Sequence, residues 1–487
     1  MERVWIYTSI ALALWIIQRL YRSLTSPLRT IPGPFYTNLT RLPLKLSIIT
    51  GNRIYFIDAL HKAHGSIVRI SPDEVSISST AEFKDIHRAG SPFLKSEWYS
   101  KFTMGSRPGV FDMRDPKMHA ARRKLFARAF SKSELRSQWE GVVREKVKLA
   151  VEKMGEEMSS SDGRCDVLKW WTFLATDVSG HLMFGESFDM LSVGMKNEYI
   201  HVLESTMKGS GINAELPLIG FIGRHLPIPS VKAMFRASEY LSEYGRRAVT
   251  NSRAASDSTR NIFSGMIHES EKGGETLTDL DVVTEAGNLI VAGSDTTAVT
   301  LTYLVYAVVR DLRLQREIED EVQALEDDYG DATLEQLPIL NAAIKETLRL
   351  YGAAPGSLPR SVPEGGATFL GHYIPEGMTV STQSYTIHRD ENIFPDPETF
   401  DASRWLPGKE GEGVSSQAQA AFSPFGAGAR TCLGIHLAYM ELRLAAAEFF
   451  RQCRGVRLAP SASWETMKPE NYFLIAPRGH QCEIVRG

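Results

Sequence analysis

The sequence predicts a mainly helical protein with small β-sheets, folded as one large body behind an amino-terminal membrane helix. Three observations carry this. Stretches near 133–158, 168–183, 231–250, 280–310, 314–325, 340–350 and 435–450 place apolar residues at helical spacing. Strand-like alternation is short and scattered: a hairpin near 65–79, then 368–373, 379–382 and the carboxyl end. No internal repeat breaks the 487 residues, which are 43% hydrophobic, enough for a large packed core. The one linker-like stretch is 408–420, polar and expected as an exposed insertion.

The first segment differs from the rest. Residues 4–18 carry no charge and are mostly apolar, with Trp5, Tyr7 and Trp15 along them. The run is shorter than the roughly 20 residues a full span needs. Arg19 and Arg22 can snorkel, which extends it through Leu20 and Tyr21. A cleaved signal peptide is the rival. Positive charge collects after the run, at Arg19, Arg22 and Arg29, which favours an anchor over residues 1–22 with the chain beyond it on the cytosolic side. Ile31-Pro32-Gly33-Pro34 is a stiff break. Residues 23–34 therefore read as a linker, and 35–487 as the body.

Lysine and arginine number 55 against 58 acids, so nothing points to nucleic acid. Cys165, Cys432, Cys453 and Cys482 show neither paired metal-ligand spacing nor a dense framework. That argues against a zinc site and a disulfide scaffold, and suits a reducing compartment.

Several stretches of the body carry chemistry. His119 and Arg123 stand four apart in a basic helix and share a face. Taken alone this is a solvated basic face, and Arg122, Lys124 and Arg128 are left as that. The 280–310 stretch is the longest apolar pattern, yet its centre is Ala292-Gly293-Ser294-Asp295-Thr296-Thr297. Gly, Ser and Thr suit the middle of a buried helix poorly, and hydroxyls can open its hydrogen-bond ladder. An acid beside a hydroxyl in such a place needs a reason; a polar kink packed in the core is the plain alternative. Glu346 and Arg349 stand three apart, a spacing also common on surfaces. Arg404 follows in Phe394-Pro395-Asp396-Pro397-Glu398-Thr399-Phe400-Asp401-Ala402-Ser403-Arg404-Trp405.

Phe425-Gly426-Ala427-Gly428-Ala429-Arg430-Thr431-Cys432-Leu433-Gly434 is a glycine-rich loop running into a helix from near Leu433. Cys432 sits at or just before that helix. There the dipole and unpaired amides favour a thiolate. A buried structural cysteine is the alternative for a lone residue in a turn. A thiolate among backbone N–H groups, under a glycine-lined loop, is what an axial haem ligand needs.

Phe425, Gly426, Gly428, Arg430, Cys432 and Gly434 match the haem-ligand signature of the cytochrome P450 family, and on these residues the chain resembles that family. The stretches around Asp295, Glu346 and Arg404 follow in the family's order, and the Pro-Gly-Pro break resembles the hinge of microsomal members. The resemblance implies that Cys432 ligates the iron of haem b. It implies that His119, Arg123, Arg360 and Arg430 meet the haem propionates, although many relatives carry tryptophan at the His119 position. It implies that Ala292 and Gly293 leave room for dioxygen, and that Asp295 and Thr296 relay protons. Glu346, Arg349 and Arg404 would lock behind the haem as a structural network; Ala402 and Ser403 depart from the proline and glutamate common there.

The implied reaction inserts one oxygen atom from O2 into a lipophilic small molecule, by hydroxylation or epoxidation. No flavin or nicotinamide fingerprint occurs, so electrons would come from a separate NADPH–cytochrome P450 reductase. The implied place is the endoplasmic reticulum membrane, spanned once. The family's substrate cavity would draw on Phe93, Trp98, Tyr99, Phe102, Met104 and Phe111, then Ala353, Ala354, Ser357 and Leu358, then Phe473 and Leu474, each of which could equally be plain core. Residues 216–222 form an apolar loop expected to dip into the bilayer surface, or to pack on the body. Stretches 353–360 and 373–405 look like those of filamentous-fungal members that tailor polyketides or terpenoids. Two rival classes remain. One is a haem-thiolate isomerase or dehydratase, which usually lacks the acid–hydroxyl pair. The other is a membrane-tethered haem-binding protein without turnover.

If Cys432 holds iron as thiolate, Cys432→His abolishes the thiolate-type Soret band of the reduced, carbon-monoxide-bound protein. An unchanged band in that variant would sink the assignment.

Overall fold

The structure is a computed structural model that describes residues 2–103, 107–160, 163–196, 208–254, 261–273, 277–406 and 414–487. The helices that place the site are α1 (Glu2–Thr25), α2 (Pro116–Ala127), α3 (Glu140–Ser160), α4 (Val167–Phe184), α5 (Pro217–His225), α6 (Pro229–Arg253), α7 (Asp279–Arg310), α8 (Pro338–Tyr351) and α9 (Ile435–Gln452). Helix α7 is the axis of the core. It packs along α4 and α6 and against α8 and α9. Its second half, from Ala298 to Val309, is buried on every side, which is why its pattern is apolar without a polar face. A capping box at Thr278 and Asp281 starts it, with Asp279 and Asp281 at the positive end and Arg310 at the other.

A five-stranded sheet flanks the helices. Its strands are β1 (Ile67–Ser71), β2 (Glu74–Ile77), β3 (Leu94–Lys95), β4 (Arg360–Ser361) and β5 (Thr379–Thr382), in the order β1-β2-β5-β4-β3. The β1–β2 hairpin pairs Ile67 with Ile77, and β2 runs parallel to β5. Strand β4 pairs antiparallel with β3 in a register that sets Lys95 directly opposite Arg360. Like charges facing across a ladder are unfavourable, so this register bears on the site below.

The structure departs from the sequence-based expectations at four places. The 133–158 stretch divides at Trp139 into Lys132–Gln138 and α3. Within 216–222, residues 217–222 belong to helix α5 with Leu216 as its N-cap, and do not form a loop. Within 408–420, residues 408–413 lie outside the described residues, and the rest enters a short helix, Ser416–Ala421, that leaves Ser415, Ser416, Gln417 and Gln419 exposed but buries Ala418. Residues 23–34 are docked on the body instead of linking to it. Leu28 and Ile31 are core residues. Buried Arg69 on β1 donates to the Leu28 and Ile31 carbonyls at 2.9 Å each and to Thr37 Oγ1 at 3.2 Å. A buried guanidinium needs acceptors, and this proline-rich segment has carbonyls free to supply them.

Helix α1 leaves Trp5, Tyr7, Leu14 and Ile17 exposed along its length. Among the described residues, α7 is the one helix long and apolar enough to cross a membrane, and it is mostly buried as a core helix. The structure thus forms α1 but does not show it as a transmembrane span.

Candidate active site

The Cys432 loop is held from both sides. Cys432 N–H donates to the Phe425 carbonyl at 2.9 Å, and Gly426 N–H to the Ser423 carbonyl at 3.0 Å. Gly428 has φ +63°, and a side chain there would strike the His87 carbonyl. Only glycine allows both that angle and that approach. Helix α9 begins at Ile435 with Gly434 as its N-cap, so Cys432 stands in the loop before it.

The Cys432 side chain keeps accessible surface although protein surrounds the thiol. Burial pushes the thiol pKa up, against the Gly434 N–H and the charge of Arg123, which pull it down. The Gly434 amide at the helix start and the Arg123 charge thus act in the direction expected from position, against burial. A bound metal cation would deprotonate the thiol.

Facing this loop is a set of basic side chains, buried or half-buried. His119 on α2 is buried, and its pKa is pushed down to about 3 by burial and then by Arg430, Lys95, Arg123 and Arg360. Arg123 is lowered by burial, with the Cys432 charge opposing. Arg430 donates to the Met113 carbonyl at 2.7 Å and the Arg114 carbonyl at 3.3 Å. Burial and then Arg360 bring its pKa down to about 10. Arg360 lies 3.2 Å from His87 Nδ1, and its buried Nε has no partner among the described residues. The structure thus brings His119, Arg123, Arg360, Arg430 and Cys432 together.

It adds Lys95, which sequence reasoning missed. Lys95 is buried, donates to the Phe111 carbonyl, and stands 4.1 Å over the Tyr99 ring and 4.3 Å over the Phe111 ring. Burial, Arg360 and Arg430 drive its pKa well down. A two-residue strand carries no motif, so its pairing with Arg360 was the missing signal. One thiol ligand beside basic side chains that form no ion pair with a carboxylate among the described residues fits haem, which brings its own carboxylates for charge-assisted hydrogen bonds.

The long helix passes this site without a break. Thr296 Oγ1 donates to the Ala292 carbonyl at 2.7 Å, so the hydroxyl bonds back to its own helix and the ladder stays closed. Ala292 is exposed in mid-helix, while Asp295 and Thr296 are half-buried. Gly293 faces α4, where a side chain would run into Ser179 Oγ, so its smallness serves helix packing. Ser294 Oγ is buried without a partner among the described residues.

A sequence profile of the family described as Cytochrome P450 matches residues 31–484. The chain belongs to the cytochrome P450 family. It is 41% identical to Cytochrome P450 monooxygenase aflV of Aspergillus parasiticus over 488 residues, covering 96% of this chain and 94% of that protein. It is 42% identical to Cytochrome P450 monooxygenase stcB of Emericella nidulans over 470 residues, covering 94% and 88%. Methylphloroacetophenone oxidase of Cladonia uncialis is 34% identical over 394 residues, covering 78% and 86%. The chain is thus a haem-thiolate monooxygenase, an oxidoreductase of a family that uses O2, a redox partner and lipophilic substrates.

Behind the haem site of this cytochrome P450, the Glu346 network is complete. Glu346 and Arg349 are both fully buried and meet at 2.7 Å, with a second contact at 2.9 Å. Arg404 Nε reaches Glu346 at 3.3 Å. Sequence reasoning missed two members. Trp405 Nε1 donates to Glu346 at 2.8 Å. His388 lies at 3.0 Å from the Arg349 carbonyl and accepts the Ser423 N–H at 3.0 Å, which joins the network to the Cys432 loop. Arg349 also donates to the carbonyls of His388 and Pro397 at 2.7 Å each.

Arg122, expected on a solvated face, pairs instead with Asp281 at 2.9 Å and Glu285 at 2.8 Å and ties α2 to α7. Phe93 is not a cavity residue; it packs on Phe369, at 5.5 Å between ring centres, in a separate core under the sheet. Met104 lies outside the described residues. Trp98, Phe111, Phe473, Leu474, Ala353, Ala354 and Leu358 are half-buried, while Tyr99, Phe102 and Ser357 are buried. A surface cleft of about 670 Å³ between α3 and the far end of α9, lined by Glu152, Glu448 and Arg454 among others, lies away from this chemistry.

Removing one partner of a buried ionic network costs about 3–5 kcal/mol. Arg349→Ala is expected to yield little haem-loaded protein, read as carbon-monoxide difference absorbance per total protein. Normal haem content and a normal melting point would show that the network does not carry the fold.

Proposed function

We propose that this cytochrome P450 oxidises a polyketide or terpenoid in fungal secondary metabolism, on the cytosolic face of the endoplasmic reticulum, with haem b and electrons from an NADPH–cytochrome P450 reductase. One observation carries the haem part: a lone thiol ligand, Cys432, set beside basic side chains that form no ion pair among the described residues. Haem bound there supplies dioxygen activation, with electron density pushed from the thiolate. Lys95, Arg123, Arg360 and Arg430 would hold its carboxylates, with His119 beside them. The Glu346 network would hold the loop that carries Cys432.

Asp295 and Thr296 would do the proton work. The overall step joins one oxygen atom to the substrate and releases the other as water, so it consumes two electrons and two protons. Thr296 is placed on α7 beside exposed Ala292 and already orients its hydroxyl by the bond to the Ala292 carbonyl. Asp295, half-buried next to it, can exchange protons with solvent. This pair speaks against an isomerase or dehydratase, since such relatives usually lack it.

The purified enzyme with reductase, NADPH and oxygen-18 gas is expected to add one labelled oxygen to a component of a fungal metabolite extract, read by mass spectrometry. Thr296→Ala is expected to bind haem and consume NADPH but to release several-fold more hydrogen peroxide per product. Asp295→Asn is expected to slow turnover about a hundredfold. Wild-type coupling in Thr296→Ala, with substrate affinity lost, would make the pair a binding feature.

Attachment to the bilayer would use two surfaces. One is α1; the other is α5, where Leu218, Ile219, Phe221 and Ile222 are all exposed on one short helix. Deleting residues 1–21 is expected to leave a body that still floats weakly with liposomes, and Phe221→Asp in that background is expected to release it. A truncated protein wholly free of liposomes would remove α5 from the interface.

A further inference from the structure

One buried carboxyl is used by none of the steps above. Glu285 lies on α7 seven residues before Ala292, and so on the same helix face. It has no exposed surface. Its two oxygens accept the Val110 N–H at 2.9 and 3.1 Å, and one also accepts from Arg122 at 2.8 Å. Gly109 permits this closeness, since a side chain there would meet the Asn288 amide and the Glu285 carboxylate.

Two more charged side chains hold the same short loop. Buried Asp112 accepts the Gly109 N–H at 2.8 Å and the Thr103 hydroxyl at 3.0 Å. Lys95 donates to the Phe111 carbonyl. A connection pinned residue after residue by buried charges is rigid, unlike an ordinary surface loop.

What is pinned is the Phe111 ring. It meets Tyr99 at 5.5 Å, Phe473 at 5.7 Å and Phe102 at 5.9 Å between ring centres. Phe102 meets Phe473 at 4.7 Å and stacks on Trp98 at 4.9 Å. Tyr99 and Phe102 are buried behind, while Trp98, Phe111 and Phe473 stay half-open. The cluster abuts the haem site, since Lys95 stands over the Tyr99 and Phe111 rings. Met113, two residues after Phe111, receives Arg430. Ile475, two residues after Phe473, donates to the Ala353 carbonyl at 2.9 Å. In the adjoining segments, two residues before Trp98 and three before Arg360, the Ser96 and Ser357 hydroxyls are buried without partners among the described residues.

We propose that Trp98, Tyr99, Phe102, Phe111 and Phe473 form the recognition wall for a flat, oxygen-bearing aromatic substrate, and that Glu285 is the positioning residue that holds Phe111 in it. This rests on the monooxygenase reading above and narrows its substrate to the aromatic polyketide class. Flat rings gain edge and offset-stacking contacts from such a wall that a saturated chain cannot make. Phenol or carbonyl oxygens would give the two serine hydroxyls the partners they lack.

The test titrates the haem-loaded full-length enzyme with flavone and with farnesol, following the shift of the Soret band. The two probes have equal carbon number, and farnesol is the more apolar, so simple burial would favour farnesol. Flavone is expected to bind roughly tenfold more tightly. Phe111→Leu and Glu285→Ala are each expected to remove most of that preference. Glu285→Gln, which keeps an acceptor for the Val110 N–H, is expected to restore it. A role in folding alone would lower the melting point and haem content and leave the flavone-to-farnesol ratio unchanged. Equal binding of the probes by wild-type enzyme with a normal thiolate–carbon monoxide band would overturn the wall and leave the monooxygenase standing. An unchanged ratio in Phe111→Leu would also overturn it, and an unchanged ratio in Glu285→Ala would overturn the role of Glu285. Loss of that band from the wild-type enzyme would bring down both.

Discussion

The register that sets Lys95 opposite Arg360 is the constraint on which the haem site depends. Cations facing across a ladder repel, and burial disfavours both. Arg430 and Arg123 crowd the same place from the Cys432 loop and α2. The chain supplies only partial relief, through the carbonyls of Phe111, Met113 and Arg114. Sheet, helix and loop thus meet where basic side chains collect, and the carboxylates of a bound haem would relieve that conflict.

The Glu346 network is the opposite case. Glu346 takes Arg349, Arg404 and Trp405 on its two oxygens, and Arg349 spends its remaining N–H groups on carbonyls. It is satisfied within the chain. His388 joins it to the loop that carries Cys432 and is kept neutral by burial, its pKa pushed down to about 3. A closed network therefore frames an open one.

Much of this was legible in the sequence, because motif and period are local. The centre of α7, the Cys432 loop and the Glu346–Arg349 spacing all sit within one element or turn. What was not legible is made by distant segments meeting. Lys95 matters through a strand 265 positions away in sequence, at Arg360. Glu285 looked like one more acid on a helix until the Val110 amide and Arg122 were placed on it. Phe93 and Phe111 look alike as sequence, yet one belongs to the core beneath the sheet and the other to the site. Gly293 looked like space for a ligand, whereas the neighbouring helix takes that space.

The docked segment after α1 has a mechanical consequence. Helix α1 ends at Thr25, and Leu28 is already core. Such a tether has almost no slack. A long flexible leash would let the body swivel and sample many angles, as a kite does. Here Arg69 clamps the leash at its root, so torque on α1 passes straight into β1. A surface that gripped α1 would therefore also set the tilt of the body, and with it the direction from which a bulky partner could approach the Cys432 side.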